Sequence, residues 1–140
     1  MNWTTIPIVA FDTETTGLEP FAGDRVIEFA AVIFHMDETG QIQSRDDHAW
    51  LINPGIEIPK MVTQITGINN SDVADAPSFE EVAGTIRDIL TQGITVAHNY
   101  PFDLAFLREE FGRVGLSWPN PIAEVDTVDL SIKHFSEAKH

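Results

Sequence analysis

The chain opens on a continuous apolar run, Ile6 to Phe11, written I-P-I-V-A-F. An unbroken run of this length predicts a strand buried on both faces at the centre of a sheet. A polar turn from Glu19 to Asp24 follows, and then a longer β-branched and aromatic run from Val26 to Phe34. Asp37-Glu38-Thr39-Gly40 has the chemistry of a hairpin turn, after which a third strand runs toward Trp50-Leu51-Ile52. Asn53-Pro54-Gly55 ends it.

From Pro77 onward the period changes. Ser78 and Glu81 form a capping box, and Phe79, Val82, Ala83, Ile86 and Leu90 share one helix face. Gly93 is expected to close that helix, before a short buried strand from Ile94 to Ala97. Helical spacing returns at Asp103, with Leu104, Leu107, Phe111 and Val114 on one stripe and Gly115 at its end. Pro119-Asn120-Pro121 interrupts the chain ahead of a short strand near Ile122 to Val125. Val128, Ile132 and Phe135 predict the start of a last helix. Three strands followed by alternating helices and strands indicate an α/β fold, a mixed sheet with helices packed on it. The length fits one domain spanning residues 1–140.

Composition narrows the chemistry. With no cysteine, disulfides, thiolate metal sites and cysteine nucleophiles are excluded. There is no signal-like leader and no apolar run near the roughly 18 residues that span a membrane, so a cytoplasmic protein without membrane partners is expected. Twenty-two acidic residues against eight basic ones give a net charge of −14, the reverse of the usual footprint of a nucleic-acid binder. A site that grips anions through bound cations escapes that objection, because the metal reverses the local sign.

Candidate chemistry gathers in two segments. In Phe11-Asp12-Thr13-Glu14-Thr15-Thr16-Gly17-Leu18, Asp12 and Glu14 are two apart at a strand end, so their side chains leave one face. Their Cα atoms lie roughly 6–7 Å apart in such a strand, a spacing at which two carboxylates can share hard cations. A polar strand terminus running into a turn would account for an isolated pair of this kind. In His98-Asn99-Tyr100-Pro101-Phe102-Asp103-Leu104-Ala105-Phe106-Leu107, Asp103 sits where a helix begins. Taken alone it reads as a helix cap, and His98 as a hydrogen-bonded structural residue.

Together, and 91 residues apart from Asp12 to Asp103, the two segments resemble the first and second motifs of the DnaQ-like DEDD 3′→5′ exonucleases, of the DEDDh branch. That family includes the proofreading domain of the DNA polymerase III epsilon subunit. The resemblance implies a ribonuclease H-like fold, a mixed five-stranded sheet flanked by helices. It makes Asp12, Glu14 and Asp103 the catalytic carboxylates, holding two divalent cations, Mg²⁺ or Mn²⁺. Thr15, Thr16, Gly17, Leu18, His98, Asn99 and Phe102 would lie against the substrate. That substrate would be the 3′ end of single-stranded DNA or RNA, cut to nucleoside 5′-monophosphates, and a DNA polymerase would be a partner. Arg25 to Val32, Asn53-Pro54-Gly55 and Ile65-Thr66-Gly67-Ile68 resemble intervening segments of the family, with Thr66 where many relatives carry histidine. Glu28, a charge inside an apolar strand, reads as structural, and Asp126-Thr127 as lying beside the site.

The third family motif, H-x-A-x-x-D or Y-x-x-x-D, supplies a fourth carboxylate and the group that positions water. It is absent from the 13 residues after Thr127. The expectation is therefore a domain C-terminally incomplete relative to the family, without the final helix region. A truncated exonuclease, a site completed by a second chain, and a catalytically incomplete nucleic-acid-binding or polymerase-associated module are the readings this leaves. An aspartyl phosphatase, which also opens with an acidic pair after a strand, would want Asp in place of Glu14.

Overall fold

The computed structural model describes residues 5–128 and 131–133. Six strands form one sheet: β1 (Ile8–Thr15), β2 (Val26–Met36), β3 (Ile42–Leu51), β4 (Ile94–Ala97), β5 (Glu124–Asp126) and β6 (Ser131–Lys133). Their order across the sheet is β3-β2-β1-β4-β5-β6. The β1–β2, β2–β3 and β5–β6 pairs are antiparallel, whereas β1–β4 and β4–β5 are parallel. The expected mixed five-stranded sheet is present, and β6 extends it by one short strand. Four helices complete the fold: α1 (Lys60–Thr66), α2 (Asn70–Val73), α3 (Phe79–Leu90) and α4 (Tyr100–Arg113). Among the described residues no helix is long and apolar enough to cross a membrane.

Three local expectations need correction. The last helix predicted from Val128 and Ile132 does not form, since Ser131–Lys133 pairs with β5 as a strand. The free backbone groups on the β5 edge satisfy these residues at once, whereas a new helix must fix a whole turn before gaining its first bond. Phe135 lies outside the described residues. Next, α4 begins at Tyr100 rather than Asp103, because Pro101 fits a first helical turn and Asn99 turns the chain with φ 61°. Finally, α3 ends at Leu90 with Thr91 as its C-cap, so Gly93 does not close it. Gly93 has another job: a Cβ there would lie 1.9 Å from the carbonyl oxygen of Pro7. That approach is where β4 joins β1, with Ile94 N–H donating to Pro7 O at 2.9 Å.

One sheet face is buried under α3 and α4. Val9 and Phe11 of β1 and Phe29, Ala31 and Ile33 of β2 meet Phe79, Ile86, Leu90, Phe106, Leu107 and Phe111 in one core. Phe11 and Phe29 stack at 6.2 Å, Tyr100 meets Phe11 edge-on at 5.4 Å, and Phe79 meets Phe111 edge-on at 5.3 Å. A bulge between Glu14 and Thr15 leaves Ile27 without a partner on β1. Ile27 instead joins Ile58, Ile68 and Val73 in a second cluster beneath α1 and α2. The rest of that second face is open beyond Asp12, where Ala10, Ala30, Val32 and Ala49 line a shallow hollow of about 480 Å³.

A buried carboxylate ties α4 to the sheet. Glu110, 1% exposed, accepts from Arg25 Nε and Nη2 at 2.8–3.0 Å and from Val26 N–H at 2.9 Å. Arg113 approaches the same carboxylate at 3.2 Å and reaches the Pro20 carbonyl at 3.4 Å. Removing one partner of such a pair leaves charge short of compensation. Arg25→Ala is expected to lower stability by about 2–3 kcal/mol in urea denaturation, less than for a fully isolated charge because Arg113 and Val26 remain. A loss below about 0.5 kcal/mol, the level of an ordinary surface pair, would contradict this account of the clamp.

Candidate metal and nucleotide site

Alternation along β1 divides its end between two faces. Phe11 and Thr13 turn into the core, while Asp12 is exposed and Glu14 half-buried on the other face. The strand pairing sets Glu14 directly opposite Glu28 and Asp12 opposite Ala30. Glu28, read from the sequence as a structural charge, is thus a neighbour of the two candidate ligands. From the other side, the first turn of α4 delivers Asp103, 2% exposed, whose Oδ1 accepts from the Thr13 hydroxyl at 2.5 Å.

Three of these carboxyls, Asp103, Glu14 and Glu28, are raised from their ordinary values. Burial pushes the Asp103 carboxyl up to about 7; the Thr13 hydrogen bond opposes that shift, and the charges of Asp12 and Glu14 add to it. Glu14 is raised by burial first, then by Asp12 and Glu28. Glu28 is raised by burial and by Asp12. Among the described residues no three such groups already close around one point as a finished cation cage. However, Asp103 Oδ2 is buried without any hydrogen-bond partner. An orphaned carboxylate oxygen beside mutually repelling acids is what a divalent cation would satisfy, so this donor set fits hard, oxygen-seeking metals.

The loop after β1 is built to hold a shape. Thr16 Oγ1 donates to Asp24 Oδ1 at 2.9 Å and accepts from Arg25 N–H at 3.0 Å, and Asp24 Oδ2 accepts from Glu19 N–H at 3.0 Å. A Cβ on Gly17 would fall 2.3 Å from that Asp24 carboxylate. Glycine is required here by the close approach of a side chain that is already committed. Thr15 Oγ1 donates to Gly17 O at 2.7 Å. The Thr16 side chain, 2% exposed, therefore serves the loop.

The loop presents Leu18 outward, 76% exposed, and beside it lies a hollow of about 330 Å³ bordered by Glu14, Thr15 and Phe102. Its far wall is α1, which contributes Met61 and Ile65, 69% and 77% exposed. Sequence reasoning missed both residues. Their only signal was an apolar pair four apart in a segment with no strong helix start, since α1 follows Pro59 with no side-chain cap. Thr66 also borders the hollow, but its hydroxyl is spent on Val62 O and Ile68 N–H.

The structure thus brings Asp12, Glu14, Asp103, Thr15, Gly17, Leu18 and Phe102 together. His98 and Asn99 lie at the end of β4 and do not border the hollow. His98 Nδ1 is 3.0 Å from Thr127 Oγ1, and Asn99 N–H donates to Asp126 Oδ1 at 3.1 Å. Asp126, 5% exposed, also accepts from Val128 N–H and holds this turn together.

Residues 9–140 match the sequence profile of an exonuclease family. The chain is 39% identical over 134 residues to a DNA polymerase III subunit epsilon-like protein of Rhodobacter capsulatus, which covers 96% of this chain and 18% of that protein. It is 41% identical over 123 residues to the 3′-5′ exonuclease DinG of Bacillus subtilis, covering 88% of this chain and 13% of that one. The chain therefore spans less than a fifth of the length of these relatives. Its fold is shared with Escherichia coli exonuclease I in a zinc-bound complex with single-stranded DNA, at a TM-score of 0.73 and 22% identity over 88% of this chain and 28% of that one.

The raised Asp103 carboxyl has a consequence for metal-free protein. A folded pKa of about 7 against 3.8 unfolded means the favourable, protonated state is complete below the unfolded value and is lost as pH rises toward 7. In EDTA, Asp103→Asn should therefore gain thermal stability over the parent as pH increases from 5 to 7, with the difference levelling off above that, by several degrees in Tm. A Tm difference that does not change with pH would show that Asp103 titrates normally.

Proposed function

We propose, from the premise that this chain belongs to the exonuclease family, that residues 1–140 form a single domain that binds the 3′ end of a single nucleic-acid strand. In this reading the domain removes terminal nucleotides as 5′-monophosphates with two divalent cations, Mg²⁺ or Mn²⁺. The observation that carries the reading is the adjacency of a buried, partnerless carboxylate oxygen on Asp103 to Asp12 and Glu14, with an apolar hollow alongside.

Asp12, Glu14 and Asp103 would hold the cations. When bound, such ions supply Lewis-acid charge to a phosphodiester and lower the pKa of water. The chain's own residues do the rest. Thr13 fixes one Asp103 oxygen and leaves the other available. Leu18, Met61, Ile65 and Phe102 offer an apolar seat for the terminal base, and the backbone from Thr15 to Gly17 would lie against the sugar and phosphate. Because the hydroxyls of Thr15 and Thr66 are engaged internally, that seat recognises a base by its faces and not by its edges. His98 and Asn99, just past the end of β4, would contribute on the phosphate side. A strand ending in this site would run beside a polymerase in relatives of the epsilon-like kind, so a DNA polymerase is the partner proposed.

The test is release of mononucleotides from a 5′-labelled single strand by the 140-residue chain in Mn²⁺ or EDTA, alongside Asp12→Ala. Trimming from the 3′ end that EDTA and Asp12→Ala both abolish is expected. Mn²⁺-dependent strand binding without trimming, in a folded protein, would mark the chain as a binding module whose chemistry needs the third motif. Neither binding nor trimming would sink the proposal.

A further inference from the structure

Glu28 has no part in the chemistry described so far, yet its strand sets it against two of the candidate ligands. On β2, Phe29, Ala31 and Ile33 turn into the core, while Glu28, Ala30 and Val32 alternate with them, half-buried on the other face. Glu14 lies directly opposite Glu28 on β1, and Leu51 lies opposite it on β3. Directly opposed residues of an antiparallel pair hold their Cβ atoms about 4.5–5.5 Å apart on one face. The diagonal neighbour, here Asp12, is about 7–8 Å away and within reach of a long side chain.

Two like charges set opposite each other destabilise a strand pair. Among the described residues Glu28 makes no hydrogen bond or ion pair that would offset this cost. Arg25, three residues earlier, is committed to Glu110. Burial first, and then the charge of Asp12, raises the Glu28 carboxyl. The neighbours on the same face of β2, Ala30 and Val32, show that apolar side chains suit this surface. Packing alone would favour one of those types at position 28, or an uncharged glutamine.

The sheet order β2-β1-β4 separates the acids into a middle and two flanks. Asp12 and Glu14 stand on the central strand. Asp103 approaches from α4, on the β4 side, and Glu28 from β2, on the other side. The Asp103 flank carries an independent mark of a missing cation, since Oδ2 of this buried residue has no hydrogen-bond partner. These carboxylates do not already close around one point among the described residues. That suits ions such as Mg²⁺, which keep several bound waters and are reached partly through them.

We infer that Glu28 is a cation-positioning residue: with Asp12 and Glu14 it helps to hold a divalent cation, through a bound water, on the flank opposite Asp103. The inference rests on Asp12, Glu14 and Asp103 being ligands and deepens that reading by giving the site a fourth acidic group within residues 1–140. It also explains why a glutamate is kept opposite a glutamate, because a cation between them turns their repulsion into shared attraction.

Mn²⁺ binding to the 140-residue chain, read from loss of the free-ion electron paramagnetic resonance signal, tests this alongside thermal unfolding in EDTA. Glu28→Gln keeps the size of the side chain and should weaken Mn²⁺ about 10-fold, the scale of losing an outer-shell partner. In EDTA the same variant should melt no lower than the parent, because a like-charge repulsion has gone. Asp12→Ala, which removes a direct ligand, should weaken Mn²⁺ further than Glu28→Gln does. Glu80→Gln, an exposed acid in the first turn of α3, should leave Mn²⁺ binding unchanged and controls for net charge. If Glu28→Gln binds Mn²⁺ like the parent, or weakens it no more than Glu80→Gln, while Asp12→Ala does weaken it, the role of Glu28 is overturned and the other ligands stand. If the parent binds no Mn²⁺, both fall.

Discussion

Glu110 is the point on which the site's geometry turns. Its buried carboxylate collects Arg25, the Val26 N–H and Arg113, so α4, the start of β2 and the loop after β1 are pinned to one another. Asp103 stands two turns earlier on the same helix and reaches Thr13 of β1. A carboxylate deep in an apolar core is costly unless every oxygen is satisfied, and here each one has at least two donors. That full satisfaction makes α4 a rigid arm, and a rigid arm can hold a second, unsatisfied carboxylate where water would otherwise be preferred. The two acids of α4 thus have opposite environments. One is fully bonded and sets position, while the other keeps one oxygen without a hydrogen-bond partner.

The same contrast runs through the surroundings of the site. Asp12, Glu14, Glu28 and Asp103 crowd together, and burial with neighbouring charge raises the carboxyls of Glu14, Glu28 and Asp103, while Leu18, Met61 and Ile65 stand exposed close by. Both features oppose stability in the isolated chain, the first by repulsion and the second by exposure of apolar surface. Cations would relieve the first and stacked bases the second. The strongly acidic surface then ceases to be an objection to nucleic acid. With most arginines committed internally, attraction in the proposed reading would come from the cations, which would confine a strand to one strip of the molecule.

Much of this was legible in the chain. The apolar runs gave β1 and β2 and the Ser78 capping box gave α3, because each rests on local chemistry that the fold leaves intact. The candidates Asp12, Glu14, Asp103, Leu18 and Phe102 were named by motif, and the fold brings them to one end of β1. Where reading failed, the deciding partner was distant in sequence. α1 has no side-chain cap at its start and buries no side chain fully, so its periodicity was too weak to find, and Met61 and Ile65 went with it. Glu110 carries no signal of its own, as its meaning comes from Arg25, 85 residues earlier. Glu28 looked structural because only the register of β1 on β2 places it opposite Glu14. β6 was misread as helix because the edge of β5 is invisible until the sheet is assembled.

The parallel seam between β1 and β4 carries a further consequence, for the order in which the molecule comes together. Ile8 pairs with Ile94, so the chain must close a loop of more than eighty residues before that seam exists. The antiparallel β1–β2–β3 meander needs only short turns and can form early, whereas the long closure costs entropy before it gains contacts. Asp12 and Glu14 therefore belong to the part of the chain that can organise first, and Asp103 arrives with the part that closes last. A cation site divided in this way, as proposed, would not exist in partly folded chains, so metal would not be captured before the sheet is complete. Any nuclease chemistry of this domain is in that sense gated by topology, switched on only when the slow half of the sheet has docked.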